Sequence, residues 1–303
     1  MEAKTIKDFD ELLRREPHHG QKKRIAVAWA ADTETQTALY EALQRGMADV
    51  CFVGACGQLR SSHLFDDFGA RVNFVEAADE QDACCKTVRL AREGKADIVM
   101  KGLVHSDSLL RAVLSKTDGL LAPGHVLTHM AVAELRNYPK LLFYTDAAVI
   151  PYPTDEQRMA QVRYMADTCH RLGIAEPRIA LIHCSEKVDG KHFPYTLGFA
   201  PIKEAAARGE FGPCIVDGPL DLKTSCDAGS MRVKGIHSPI AGEADVLIFP
   251  DIEAGNLFHK TITLFCGAKL ASLLVGTSVP VVFTSRSDSA YSKLTSIAVA
   301  INL

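Results

Sequence analysis

The chain has 303 residues, 47% hydrophobic and 23% charged, which suits a globular protein of about two domains better than a single core. Its 37 acidic and 34 basic residues leave a net charge of −3, which excludes the basic footprint of a general nucleic-acid binder. An anionic small substrate would have to be met by local Arg and Lys. The start, MEAKTIKDFDELLRREP, reads as an amphipathic helix rather than a signal peptide. No run reaches the roughly 18 apolar residues of a membrane span. Nine cysteines, an odd number with no C-x-x-C pair, read as buried reduced thiols of a cytoplasmic protein.

Taken in order, short β-branched apolar runs predict strands at 24–30, 50–54, 97–102, 125–132, 141–145, 178–184, 214–218, 245–250, 271–276 and 280–284. Most are apolar on both faces, as strands covered on both sides are. Helical stretches lie between them. Thr33-Glu34-Thr35-Gln36 fits a capping box opening a helix to about Arg45. Residues 79–93 and 154–172 carry apolar residues at helical spacing and stop at Gly94 and Gly173. Alternation of this kind predicts an α/β fold with a largely parallel sheet.

Ligands of open α/β sheets sit outside the carboxyl ends of the strands. The residues just after each strand are therefore the informative ones: Ala31-Asp32, Lys101 to Ser106, Thr145-Asp146, Ser185-Glu186, Asp217 to Pro219, Pro250-Asp251 and Thr284 to Arg286. The hexapeptide TSRSDS (284–289) follows one such strand and opens the last helix, 289–302. Free N–H groups at a helix start, with Arg286 beside them, suit a phosphate. The alternative is a Ser or Asp cap with a surface Arg. VMKGLVHSDSLLRAVL (99–114) repeats the design with Lys101, His105, Ser106, Ser108 and Arg111. In the other reading Lys101 is a solvated strand end and Arg111 a solvated helix face. No P-loop, no G-x-G-x-x-G after a strand, no H-E-x-x-H and no G-x-S-x-G occurs. His125 and His129, four apart in an expected strand, read as sheet and core histidines rather than metal ligands.

Three segments, KGLVHSDSLLRAVL (101–114), PDIEAGNLFHKTITLFCGAKLASLLVGTSVPVV (250–282) and TSRSDSAYSKLTSIA (284–298), resemble the phosphate acetyltransferase and phosphate butyryltransferase family. The likeness runs from about Ile25 to the C-terminus. The length and the form SRSDSAYSKL resemble the butyryltransferase branch. The resemblance implies reversible acyl transfer between coenzyme A and inorganic phosphate, in a homodimer or larger homo-oligomer, with no metal and no cofactor beyond coenzyme A as substrate. It implies a fold like that of isocitrate and isopropylmalate dehydrogenases, two α/β domains flanking a cleft. Residues 1–123 and 277–303 would form one domain and 124–276 the other.

Arg286 would bind phosphate. Ser285 would hold the reacting group or the departing sulfur. Ser106, Ser108 and Arg111, with Lys101 and His105 on the same segment, would contact phosphate or coenzyme A. Asn256 and Lys260 match a segment of the cleft wall. The family's basic Asp would fall near Ser292, which cannot serve, so Asp288 is expected as the base toward the thiol, with a helix-cap role as the alternative. No cysteine has an obvious His partner, so direct transfer in a ternary complex is expected. The alternatives are phosphate acetyltransferase activity with acetyl-CoA, a metal- and NAD-dependent dehydrogenase, or a non-catalytic acyl-CoA sensor.

Overall fold

The computed structural model describes residues 6–15 and 22–303. Of the expected N-terminal helix, residues 1–5, 16 and 17 lie outside this range, and the described part is helical at Phe9–Leu13 (α1). The chain forms two compact units. The first comprises Leu12–Leu127 and Ala271–Leu303, and the second comprises Thr128–Leu270 with residues 6–11. The divides thus come at 127/128 and 270/271 rather than at 123/124 and 276/277. Residues 6–11 group with the second unit, where the Phe9 N–H donates to the Glu134 carboxylate at 2.9 Å.

The first unit opens with β1 (Lys23–Ala28), α2 (Thr33–Gln44), β2 (Ala48–Gly54), α3 (Gly57–Ser61), β3 (Val72–Glu76), α4 (Glu80–Arg92), β4 (Ile98–Lys101) and α5 (Ser106–Val113). The second follows with β5 (Thr128–Glu134), β6 (Leu142–Thr145), α6 (Asp155–Arg171), β7 (Arg178–Ile182), α7 (Phe199–Ala207), β8 (Ile215–Leu220), α8 (Leu222–Cys226), α9 (Ala228–Val233), β9 (Val246–Ile248) and α10 (Ile252–Cys266). The chain then returns to the first unit through β10 (Lys269–Val275), β11 (Val281–Val282) and α11 (Ala290–Ile301).

Strand order is β3-β2-β1-β4-β11-β10 in the first unit and β5-β6-β9-β7-β8 in the second. Within these orders β10/β11 and β5/β6 pair antiparallel, while β1, β2, β3, β4 and β11 pair parallel with their neighbours, as do β6 to β9. β3 was not expected. It is an edge strand with a partly exposed run, so it lacks the two-sided apolar pattern of a covered strand.

Local chemistry sets most boundaries. Asp79 caps α4, and Thr154 with Gln157 forms a capping box on α6. The box expected at Thr33 is displaced by one residue: Asp32 is the cap, and its Oδ1 accepts from the Thr35 N–H at 2.8 Å. The strand expected from His125 begins at Thr128, which leaves His125 exposed ahead of it and His129 buried within it.

The first unit's core is built by the covered strands and by α11, which is buried from Lys293 through Ile301. Such burial leaves little of that helix to water. β4 is buried at every position, including Lys101 at its end.

Candidate active site at the strand ends of the first unit

β1, β4 and β11 lie side by side and parallel, with Ala28 opposite Lys101 and Met100 opposite Val282. Their carboxyl ends therefore share one edge. The chain steps from β1 to β2 on one side and places β4 on the other, so the strand order reverses between β1 and β4. Such a switch point opens a crevice for ligands.

The loops there are tied tightly together. The Trp29 carbonyl accepts from the N–H groups of Ala31 and Leu103 at 2.9 and 2.8 Å, and the Gly102 N–H donates to the Ala28 carbonyl at 3.0 Å. A Cβ on Gly102 would lie 2.5 and 2.6 Å from the carbonyl oxygens of Ala28 and Trp29, so only glycine fits. Trp29 has φ of 57°, a left-handed conformation that costs a side-chain-bearing residue about 1–2 kcal/mol.

Two ammonium groups are buried at this edge. Lys101 and Lys293 are each 1% exposed. Lys293 Nζ reaches the Ser285 carbonyl only at 3.5 Å and Asp32 Oδ1 only at 3.9 Å. Burial pushes the Lys101 ammonium down to about 8; Lys293 and Arg286 add repulsion, against the pull of Asp288 and Asp32. Three cations thus gather against two carboxylates. Asp32 Oδ1 is engaged by the Thr35 N–H and hydroxyl, while its Oδ2 is buried without a hydrogen-bond partner among the described residues. Thr284 Oγ1 is likewise buried and unpartnered. A buried charge costs several kcal/mol unless it is paired. A positive excess of this kind is the arrangement of an anion site.

The loop after β11 is a tight turn. The Asp288 N–H donates to the Ser285 carbonyl at 3.2 Å, and Asp288 Oδ2 accepts from the Ser285 N–H at 2.7 Å. Ser285 and Ser287 hydroxyls are 3.1 Å apart. The helix cap is Ser289, which accepts from the Ser292 N–H at 3.2 Å, so the cap alternative for Asp288 is overturned. Ser285 and Arg286 are exposed. Arg286, Ser287 and Ser289 line a cavity of about 560 Å³ with Thr33, Glu34 and Thr37 of α2.

The other expected residues divide. Lys101 is not a solvated strand end but the buried centre of the cluster. His105 sits at the N-cap of α5 without a side-chain cap bond, and its N–H donates to Glu80 at 3.3 Å. Ser106 is exposed and Ser108 half-buried in the first turn, whereas Arg111 is exposed in the last turn, and no hydrogen bond or ion pair among the described residues joins it to the cluster. Asn256 and Lys260 belong to α10 of the second unit. The Asn256 amide donates to the Ala147 carbonyl at 2.9 Å, and Lys260 is exposed.

Several strand-end acids turn out to be structural. Asp251 caps α10, Asp217 takes Lys203 and Ser238, and Glu186 takes Lys234 and Thr224.

Lys293 is the residue that sequence reasoning missed. Its signal is the lone charge in the otherwise uncharged run AYSKLTSIAVAI. The thiols also differ from expectation: Cys85, Cys184 and Cys266 are exposed, and Cys184 Sγ lies 3.7 Å from His183 Nε2. Among the described residues no three His, Cys, Asp or Glu side chains gather in metal-holding geometry, and no helix is long and apolar enough to cross a membrane.

The family profile described as "Phosphate acetyl/butaryl transferase" matches residues 62–301. The chain is 38% identical to a phosphate butyryltransferase of Clostridium acetobutylicum over 298 residues, 97% of each chain. It is 34% identical to a phosphate acetyltransferase of Rhizobium meliloti over 277 residues, 90% of this chain and 86% of that one. A crystal structure of a branched-chain phosphotransacylase from Enterococcus faecalis superposes with a TM-score of 0.79 at 29% identity, covering 92% of this chain and 98% of the other. A 4-hydroxythreonine-4-phosphate dehydrogenase structure from Salmonella typhimurium, at 12% identity and a TM-score of 0.56 over 93% of this chain and 99% of that one, shares the fold.

Proposed function

The chain belongs to the phosphate acetyl/butyryl transferase family, and from that premise we propose that it moves a short acyl group, butyryl in preference to acetyl, reversibly between coenzyme A and inorganic phosphate. The observation that carries this reading is the cationic excess at the switch point: Lys101, Lys293 and Arg286 against Asp32 and Asp288. A phosphate dianion there supplies the missing negative charge.

Arg286, exposed on its turn, clamps the phosphate oxygens from the solvent side, and the two buried ammonium groups hold it from below. Held in this way, phosphate attacks the thioester carbonyl, and the same cations meet the oxyanion that develops. Ser285, fixed by Asp288, stands beside the departing sulfur. One Asp288 oxygen holds the Ser285 N–H, and the other is open to take the thiol proton when coenzyme A is the nucleophile. His105, Ser106 and Ser108 offer their loop and helix start to phosphate or coenzyme A, with Arg111 at the outer rim. Transfer is direct, in a ternary complex, with coenzyme A as substrate and no resident cofactor.

We extend the proposal to the architecture: the two units flank a cleft in the manner of isocitrate and isopropylmalate dehydrogenases, and Asn256 and Lys260 stand on its second wall. The active form is a cytoplasmic homo-oligomer. The outer face of α10, where Leu257, Leu264 and Phe265 are 70, 74 and 78% exposed, is the surface assigned to the second copy.

A thiol-release assay with phosphate and a panel of acyl-CoAs tests the reaction. Butyryl-CoA should exceed acetyl-CoA by roughly tenfold to several-hundredfold in kcat/KM, the worth of two methylenes in a fitted pocket. Equal rates with acetyl-CoA would defeat the chain-length preference, and no thiol release with any acyl-CoA would defeat the function. Arg286→Ala should lower kcat/KM for phosphate about tenfold to a few hundredfold, with only partial recovery in Arg286→Lys.

A further inference from the structure

Asp32 carries a carboxylate oxygen that the fold leaves without a donor. The residue follows β1 and caps α2, and it is fixed from both sides. Its Oδ1 accepts from the Thr35 N–H and hydroxyl, both at 2.8 Å, and its carbonyl accepts from the Gln36 N–H at 3.1 Å. Just before it, the Gln36 amide donates to the Ala30 carbonyl at 3.0 Å, and the Ala31 N–H donates to the Trp29 carbonyl at 2.9 Å. Oδ2 is buried and has no hydrogen-bond partner among the described residues. A buried ionised acceptor in that condition is costly, and a folded protein rarely keeps one without a use.

This oxygen belongs to the cation cluster. α2 and α11 pack against one another, and Lys293 of α11 brings its Nζ to 3.9 Å from Asp32 Oδ1, too far for a hydrogen bond. Lys101 feels the Asp32 charge as well. An oxyanion seated on these ammonium groups therefore lies beside a carboxylate that its own bonds hold still. If the anion is fully ionised, two negative charges face one another. If it carries a proton, that proton lies between the two oxygens, and repulsion becomes a charge-assisted hydrogen bond.

Hydrogen phosphate keeps such a proton at neutral pH. Sulfate, of like shape and charge, has none. We propose that Asp32 Oδ2 accepts the P–OH of bound hydrogen phosphate and thereby makes the site select phosphate over sulfate. The three cations attract either anion, and the discrimination comes from the acceptor, which is satisfied by one and repels the other. The assignment rests on the phosphate half of the acyl-transfer reading and needs none of its acyl chemistry.

Ligand-dependent thermal stabilisation gives dissociation constants for both anions without any turnover. The wild type should bind phosphate roughly ten- to hundredfold more tightly than sulfate at neutral pH, the worth of one hydrogen bond to a charged group. Monofluorophosphate, a dianion with fluorine in place of the hydroxyl, should behave like sulfate. Asp32→Asn keeps the cap, because its amide oxygen still accepts from Thr35, and it turns a donor NH2 to where Oδ2 stood. This variant should bind sulfate at least as well as the wild type does and should lose most of the preference for phosphate. A cap with no ligand role would leave the ratio unmoved. Equal wild-type binding of phosphate and either donorless anion, or an unchanged ratio in folded Asp32→Asn, would overturn the assignment. If the variant does not fold, the wild-type comparison of phosphate with monofluorophosphate decides alone. No stabilisation by phosphate would overturn it together with the anion site. Selective phosphate binding in a protein that releases no thiol would keep the assignment and reject acyl transfer. Thiol release by an enzyme that binds phosphate and sulfate alike would do the reverse.

Discussion

In the second unit the buried carboxylate of Asp146, just after β6, accepts from the Thr128 hydroxyl at 2.8 Å and from the N–H groups of His129, Ala148, Val149 and Ile150 at 3.0, 2.7, 2.8 and 3.2 Å. In the first unit, among the described residues, the equally buried ammonium of Lys293 has a carbonyl at 3.5 Å and a carboxylate at 3.9 Å, and no hydrogen bond or ion pair joins that of Lys101. Lys101 and Asp146 looked alike in the sequence as polar residues at strand ends, whereas Lys293 comes from α11. The difference is satisfaction. A carboxylate with five donors has no capacity left for a ligand and serves to fold its loop. Ammonium groups with long, partial contacts keep theirs, and the cost of burying them is offset only when an anion arrives.

Asp288 combines the two conditions, one oxygen held by Ser285 and the other open, so it gives the sharpest test. Asp288→Asn keeps an acceptor for the Ser285 N–H but removes the base. Activity from acyl phosphate and coenzyme A should fall by about 10²–10⁴ in kcat with phosphate KM little changed. A silent Asp288→Asn would move Asp288 into the class of Asp146.

Asp146→Ala should be next in size and should act on stability. Several donors lose their acceptor at once, each costing about 1–3 kcal/mol, so chemical denaturation should show a loss of about 3–5 kcal/mol. A change under about 1 kcal/mol would mean that water replaces the carboxylate and that the centre is not structural.

Lys101→Met should break the comparison in the opposite sense. Replacing an under-paired buried ammonium by an apolar chain of similar length is expected to stabilise the fold by about 1 kcal/mol or more. It should still lower kcat/KM for phosphate about tenfold to a few hundredfold. A less stable enzyme with wild-type phosphate kinetics would refute the anion role.

The smallest effect is in pH. Lys101 titrates near 8 in the folded protein, below the ordinary value of 10.5 that it regains on unfolding. Between those values the unfolded chain binds more protons, so the free protein should gain stability as pH rises from about 8 to 10.5, and this slope should be absent in Lys101→Met. Phosphate needs the charged form. Its KM should therefore climb as pH passes about 8 in the wild type, with no such inflection in Lys101→Met.

Much of this was legible in the chain. Covered strands announced themselves as apolar runs because parallel strands are buried on both faces, and caps such as Asp79, Thr154 and Ser289 lie within three residues of the N–H groups they satisfy. The TSRSDS turn and the segment from Lys101 to Ser108 stood out because a polar burst after a buried strand has no core role. β3 was missed because an edge strand loses the two-sided apolar pattern. The Asp288 cap alternative was legible and failed, because its carboxylate turns back to Ser285 instead of forward into the helix.

By itself, then, the sequence determined the elements, the α/β class, the family and the segments that carry charge to strand ends, since each of these depends on neighbours a few residues apart or on a pattern repeated along the chain. It could not say which polar strand ends would be saturated. That Thr128 and His129 of β5 give two donors to Asp146 follows from the pairing of β5 with β6. That Lys293 approaches Asp32 and that Lys101 feels the charge of Arg286 follows from the register of β1, β4 and β11 and from how helices pack over them. These contacts join residues of different elements, while the Ala148, Val149 and Ile150 donors to Asp146 are local, and the balance of charge and partners at a buried point is a sum over everything around it, which only the tertiary structure completes.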